Sequence, residues 1–106
     1  LGLLTEGYLF VAKQVEGTVT NVTDAGDLQT DIIYEKWKDI PPDASTKVVV
    51  DGEHETFGLF PAVHDQPAMT FIAIADANQV LRLTLIGDSA SSMLGVKAGA
   101  RVVIKW

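Results

Sequence analysis

Apolar and polar residues alternate along much of this chain with the period of two that an extended strand imposes. Gly7-Tyr8-Leu9-Phe10-Val11-Ala12 is a first candidate strand, and Gly17-Thr18-Val19-Thr20-Asn21-Val22-Thr23 follows with clear Thr/Val alternation. Asp24-Ala25-Gly26-Asp27 is a turn signal. Residues 28–34 resume as strand or as a short helix that runs to Trp37. Pro41 and Pro42 then break the pattern, because neither can donate to a ladder. Residues 46–50 form the next strand, and Asp51-Gly52-Glu53 predicts a hairpin turn, Asp-Gly being suited to type I′ geometry. The chain returns over 54–60, loops over 61–67 and enters an apolar strand over 68–75. Residues 76–79 turn. Over 80–86, Arg82 and Thr84 fall on one face and Leu81, Leu83 and Leu85 on the other. The small-residue bend from Gly87 to Gly95 includes one predicted helical turn, 89–94, and 102–106 closes the chain as a strand.

About seven short strands separated by turn residues predict an all-β domain over residues 1–106: a small, mostly antiparallel barrel or sandwich of six to seven strands with a short helical turn. No long amphipathic helix is available to cover a parallel sheet. Closure into a barrel would also remove the exposed edges that strands as apolar as 68–75 would otherwise present.

Composition narrows the chemistry. Apolar residues make up 47% of the 106, enough for a real core and against intrinsic disorder. There is no cysteine, so disulfides, thiolate nucleophiles and cysteine-ligated metals are excluded together. No apolar run reaches membrane-spanning length and no signal-peptide pattern is present, so a cytoplasmic protein with no membrane partner is expected. The first residue is Leu1, which fits a fragment or a processed product. The net charge of −6 is unevenly placed: residues 1–55 carry eleven acids and four bases, residues 56–106 three acids and four bases. With so few and unclustered bases, nucleic acid is not an expected partner. The acidic half is read as a solvated surface, or as a patch for an amine or an arginine-bearing partner.

Few residues could do chemistry. His54 lies between Glu53 and Glu55, but in a strand the two glutamates share one face and His54 takes the other, so no metal site is expected. His64-Asp65 could act as a general-base pair, yet no nucleophile accompanies it. Asp24, Asp27 and Asp31 crowd a turn and its exit, where they serve either as turn-capping carboxylates or as contacts to a ligand amine or hydroxyl. The aromatic residues are assigned to core or interface, with one or two able to stack on a purine-like ring. Gly87-Asp88-Ser89-Ala90 lacks the lysine and glycine spacing of a phosphate loop. Its small residues instead permit close backbone contact with a ligand edge such as adenine's.

Two separated blocks resemble the C-terminal domain of the S-adenosylmethionine hydroxide adenosyltransferases, a family that includes the fluorinating and chlorinating enzymes acting on S-adenosylmethionine. The first runs from Gly17 to Ile32 and is similar to a glycine and alternating valines followed by Ile-Asp-x-Phe-Gly-Asn-Leu-x-Thr-Asn-Ile. The second, Val80-Leu81-Arg82-Leu83-Thr84-Leu85 through Gly87–Gly95, resembles a strand Tyr-Leu-Glu-Ile-Ala, then Gly-Asn-Ala-Ala and Leu-Gly, then a closing valine-rich strand. The resemblance implies a small barrel beside a larger N-terminal α/β domain, with S-adenosylmethionine held at a domain and subunit interface, usually in a trimer. It implies hydroxide or halide attack on the ribose C5′ with methionine leaving, so that alignment and desolvation carry much of the rate.

The chain departs from the family at polar positions. Thr23 stands where the family has the aspartate that holds the methionine amine, with Asp24 one place off; Ala25 replaces the pocket phenylalanine; Asp27 and Asp31 replace asparagines; Asp76-Ala77 replaces an Asn-Ser pair. The expected function is therefore the C-terminal ligand-binding domain of an S-adenosylmethionine hydrolase or a divergent paralogue, inactive without its N-terminal domain. The alternative is a noncatalytic β domain for oligomerisation or small-molecule binding. The expected ligand-facing set is Asp24, Asp27, Asp76, Gly87, Asp88, Ser89 and Ala90. No catalytic residue, metal or cofactor is assigned, S-adenosylmethionine being the expected substrate. The expected partners are the chain's own N-terminal domain, further copies of itself as in a trimer, and a small-molecule ligand.

Overall fold

β1 (Gln14–Val22) organises the sheet, because its two halves pair with different neighbours. Residues 14–18 run antiparallel to β8 (Arg101–Lys105), and residues 19–22 run antiparallel to β2 (Leu28–Thr30). The hand-over falls at a bulge between Val19 and Asn21. The extra residue leaves Thr20 and Asn21 both exposed, so the simple alternation predicted for 17–23 breaks there. In this computed structural model residues 13–106 are described; the predicted strand over 7–12, with Tyr8 and Phe10, lies outside them.

The remaining elements follow in chain order: α1 (Tyr34–Trp37), β3 (Lys47–Val50), β4 (His54–Phe57), β5 (Leu59–Phe60), β6 (Phe71–Ile74), β7 (Arg82–Leu85) and α2 (Ala90–Leu94). The eight strands form one sheet in the order β4-β3-β8-β1-β2-β7-β6-β5. That sheet curls until its ends nearly meet. Thr56 Oγ1 on β4 donates to the Phe71 carbonyl on β6 at 2.7 Å, a side-chain bridge across the seam. The fold is thus the small, nearly closed barrel expected, with eight described strands where six to seven were expected and two short helices where one helical turn was.

Three details differ from the expectation. The segment 28–37 is both alternatives in succession, strand β2 and then helix α1. The single strand expected over 54–60 is split at Gly58, whose φ of +84° suits glycine. There the Gly58 and Leu59 N–H groups donate to the Thr46 and Pro42 carbonyls, and β5 then pairs parallel to β6 in an otherwise antiparallel sheet. The strand over 68–75 shortens to Phe71–Ile74, because Met69 takes a left-handed turn with φ 67°. The Asp51-Gly52 hairpin has positive φ at both residues (56° and 69°), as a type I′ turn requires, and Glu53 N–H donates to the Val50 carbonyl at 3.1 Å.

The barrel interior is aliphatic. Leu28, Ile32, Val48, Val50, Leu81, Leu83, Val102 and Ile104 are fully buried. On β7 the predicted division holds, with Leu83 and Leu85 inside and Arg82 and Thr84 half-exposed on the other face. Within the core Thr30 is a buried polar residue; its Oγ1 donates to the Leu81 carbonyl at 2.7 Å and accepts from Ile32 N–H at 3.1 Å. No helix among the described residues is long and apolar enough to cross a membrane.

Candidate functional site

The turn before β2 and the bend after β7 meet at one end of the barrel. Strand pairing causes this: β2 lies beside β7 with Leu28 opposite Leu83, so the residues preceding Leu28 reach the residues following Leu83. Contact is close at Gly26, where a Cβ would lie 2.0 Å from Ser89 Oγ and 2.7 Å from Ser89 Cα. Only a residue without a side chain fits. Ser91 N–H donates to the Gly26 carbonyl at 3.0 Å, which docks the first turn of α2 onto the 24–27 turn.

Between the two bends lies an open cleft of about 410 Å³ lined by Ala25, Asp27, Thr84, Leu85, Gly87, Asp88 and Ser89. Asp27 is held there through both its main chain and its carboxylate. Its N–H donates to Thr23 Oγ1 at 3.0 Å, and its carbonyl accepts from Thr23 N–H at 2.9 Å. Its Oδ1 accepts from Thr84 Oγ1 at 2.6 Å, and its Oδ2 lies 3.8 Å from Arg82 Nε. The carboxylate is 18% exposed. Arg82 Nε is buried and makes no hydrogen bond among the described residues. Asp27 is thus a carboxylate clamped from one side by a hydroxyl and faced from the other by a guanidinium, at the rim of a hollow.

The second wall is made by main chain. Asp88 N–H donates to the Leu85 carbonyl at 3.0 Å, and Ser89 N–H to Asp88 Oδ1 at 2.7 Å, so these two amides are already engaged within the bend. Ser89 caps α2: its Oγ accepts from Ser92 N–H at 3.1 Å. A Ser89→Ala substitution removes that cap from a helix of five residues. It should lower unfolding free energy by about 1 kcal/mol in urea titration; an unchanged midpoint would show that the docking of α2 does not use the cap.

Of the predicted ligand-facing residues, Asp27, Gly87, Asp88 and Ser89 line the cleft. Asp24 is exposed on the outer side of the turn and outside the lining. Ala90 faces the core and is fully buried, because it opens the inward face of α2. Asp76 belongs to the β6–β7 loop, at the end of β7 away from Gly87, where its Oδ1 accepts from Asn78 N–H at 3.0 Å. The expected grouping of Asp24, Asp27 and Asp31 also separates, since Asp27 and Asp31 flank β2 at its two ends. Asp31 Oδ1 accepts from Thr18 N–H at 2.8 Å, a strand-linking bond.

Sequence reasoning missed Arg82, Thr84 and Leu85 as neighbours of the cleft, while Ala25 lines it at the position the resemblance gave to the pocket phenylalanine. The shared face of Arg82 and Thr84 was visible in the alternation, but which strand lies beside β7 was not. Among the described residues no aromatic ring lines the cleft; Tyr34 and Trp37 pack edge to face, 5.0 Å apart. His54 is half-buried with Nε2 3.9 Å from Glu53 Oε2, while Glu55 points out. His64 Nδ1 accepts from Gln66 N–H at 3.2 Å, a local loop bond. Among the described residues no three of His, Asp and Glu gather as a metal site.

No family model matches the chain, and no curated protein matches it. Among solved structures it is similar to a protein of Thermotoga maritima known as an uncharacterised conserved protein, with 24% identity and a TM-score of 0.69. The likeness is one of fold. It covers 87% of this chain and 38% of that protein, so the chain spans well under half the length of the structure it matches.

Proposed function

We propose that this chain is the C-terminal, ligand-binding barrel of an S-adenosylmethionine hydrolase (a hydroxide adenosyltransferase) or of a divergent paralogue. The observation that supports this is the meeting of the two resembling blocks: Gly26 and Asp27 from the first and Gly87–Ser89 from the second border one cleft.

In this proposal the barrel supplies half a site. Asp27, held by Thr84, accepts a hydrogen bond from a ligand hydroxyl or amine. The bend at 87–89 approaches the ligand closely because its residues are small. The attacking water and its positioning groups come from an N-terminal domain, across an interface between subunits of a homo-oligomer such as a trimer in the cytoplasm. Water would form the C5′–O bond as the C5′–S bond breaks, giving adenosine and methionine, with the sulfonium charge relieved in the step and the second proton of the water passed to solvent. The chain by itself would bind weakly and turn nothing over.

A second possibility, a noncatalytic β domain that binds a small molecule or another copy, is favoured by one feature. Both oxygens of Asp27 already face groups of this chain, Thr84 and Arg82.

Calorimetry of the complete gene product with S-adenosylmethionine separates the two. The hydrolase reading expects binding heat, release of adenosine and methionine, and at least tenfold weaker binding for Asp27→Ala. An absence of heat at millimolar ligand would remove the S-adenosylmethionine assignment and leave the noncatalytic domain.

A further inference from the structure

The outer face of β1, β8, β3 and β4 forms an ordered grid. Strand register places Gln14, Lys105, Lys47 and Phe57 in one row, and Glu16, Val103, Val49 and Glu55 in the next. Thr18 and Arg101 continue the grid on β1 and β8. Alternate residues on the same strands (Val48, Val50, Val102 and Ile104) fill the core, so these side chains point outward. Over the grid lies a groove of about 360 Å³ with Lys47, Val49, Glu55, Arg101, Val103 and Lys105 in its lining.

Two features of this face are unusual for an isolated surface. Lys47 and Lys105 are direct register partners, and like charges placed opposite one another repel. Lys47 Nζ is 3.5 Å from Glu55 Oε2 and Arg101 pairs with Glu16, but Lys105 meets no carboxylate among the described residues. In addition, Val49 and Val103 form an aliphatic centre beside Phe57, which is 52% exposed. The grid carries three bases and two acids on a chain whose net charge is −6. Two copies meeting by a uniformly acidic surface would repel; this face carries both signs, so a two-fold arrangement can set them opposite one another.

We propose that this face is a self-association surface and that its occupant is a second copy of the chain, related by a two-fold axis running across the strands between the two rows. That axis lays the lysine row of one copy over the valine row of the other. Each Lys47 is then offset by one strand, about 4.8 Å in the plane of the sheet, from the partner copy's glutamate at position 55, and each Lys105 likewise from its glutamate at position 16, across a gap of about 10 Å that the two long side chains span. The perpendicular axis, along the strands, would stack lysine on lysine and glutamate on glutamate. Charge therefore selects the first arrangement. The grid spans only about 15 Å by 15 Å, less than the roughly 800 Å² per partner of a stable interface. The dimer is accordingly weak and salt-sensitive.

Sedimentation velocity of the chain, from about 10 μM to about 1 mM at low salt, reads the equilibrium; about 0.5 M salt should shift it to monomer. Lys47→Glu alone and Glu55→Lys alone should each weaken self-association at least tenfold, and an equimolar mixture of the two should restore it, because each reversed charge then faces its opposite. Circular dichroism confirms that both variants fold. A wild-type chain that stays monomeric at 1 mM, or a mixture that associates no better than either variant alone, would overturn the proposal.

Discussion

Gly26→Ala should unfold several kilocalories per mole more easily than the wild-type chain. Two effects add. The residue sits at φ +89°, outside the ordinary range for a side-chain-bearing residue, which costs about 1–2 kcal/mol. Its new Cβ would fall 2.0 Å from Ser89 Oγ, 2.5 Å from Ser89 Cβ and 2.7 Å from Ser89 Cα. A serine hydroxyl can rotate away, but the Ser89 backbone cannot move without lifting α2 off the 24–27 turn. Such overpacking costs about 1–3 kcal/mol more. Gly87→Ala is the control: its φ of +82° is just as unfavourable, yet its Cβ would meet only the Ala68 Cβ, at 3.7 Å. Urea unfolding should therefore place Gly26→Ala below Gly87→Ala by the overpacking term alone. Equal losses would mean that the two bends do not touch, and the cleft between them would go with that contact.

Leu83→Ala should destabilise the chain by about 2–5 kcal/mol. Leu83 is fully buried on β7 and lies opposite both Leu28 on β2 and Ala73 on β6. Its side chain thus fills the barrel where three strands adjoin, and neighbours fixed in a curved sheet cannot collapse into the space it leaves. Arg82→Ala, one residue away on the outer face, should change stability by about 1 kcal/mol or less, because the ion pair it removes is long and partly solvated. A loss for Leu83→Ala no greater than for Arg82→Ala would show that the inward and outward faces of β7 are wrongly assigned.

The contrast between Leu83 and Arg82 was legible in the sequence, since alternation needs only the residues of one strand. The same holds for the type I′ hairpin at Asp51-Gly52, where two residues tolerant of positive φ stand between two apolar runs. The bulge at Val19/Asn21 was not legible, because it is a mismatch between two strands and neither shows it alone. Nor was the break at Gly58 foreseen. The chain turns there to satisfy carbonyls of Thr46 and Pro42, residues that sequence proximity does not mark as neighbours.

The candidate site divides in the same way. Small residues at 87–90 and carboxylates at 24–31 announced themselves as bends with little side-chain bulk or with hydrogen-bonding capacity. Composition could not say that Asp27 faces the cleft while Asp31 ties two strands together, or that Ala90 turns inward. Those outcomes depend on which end of a three-residue strand each residue flanks and on how a five-residue helix is seated.

Taken by itself, the order of residues determined the all-β class, most of the turns and the inward face of β7. Those properties follow from a repeat of two and from backbone preferences that act within a few residues. Only the three-dimensional arrangement decided that β2 lies against β7, that Gly26 touches Ser89, and that outward rows across four strands align Lys47 with Lys105. Each of these is a long-range pairing, set by how a twisted sheet closes over an aliphatic interior, and no local pattern encodes which strands become neighbours.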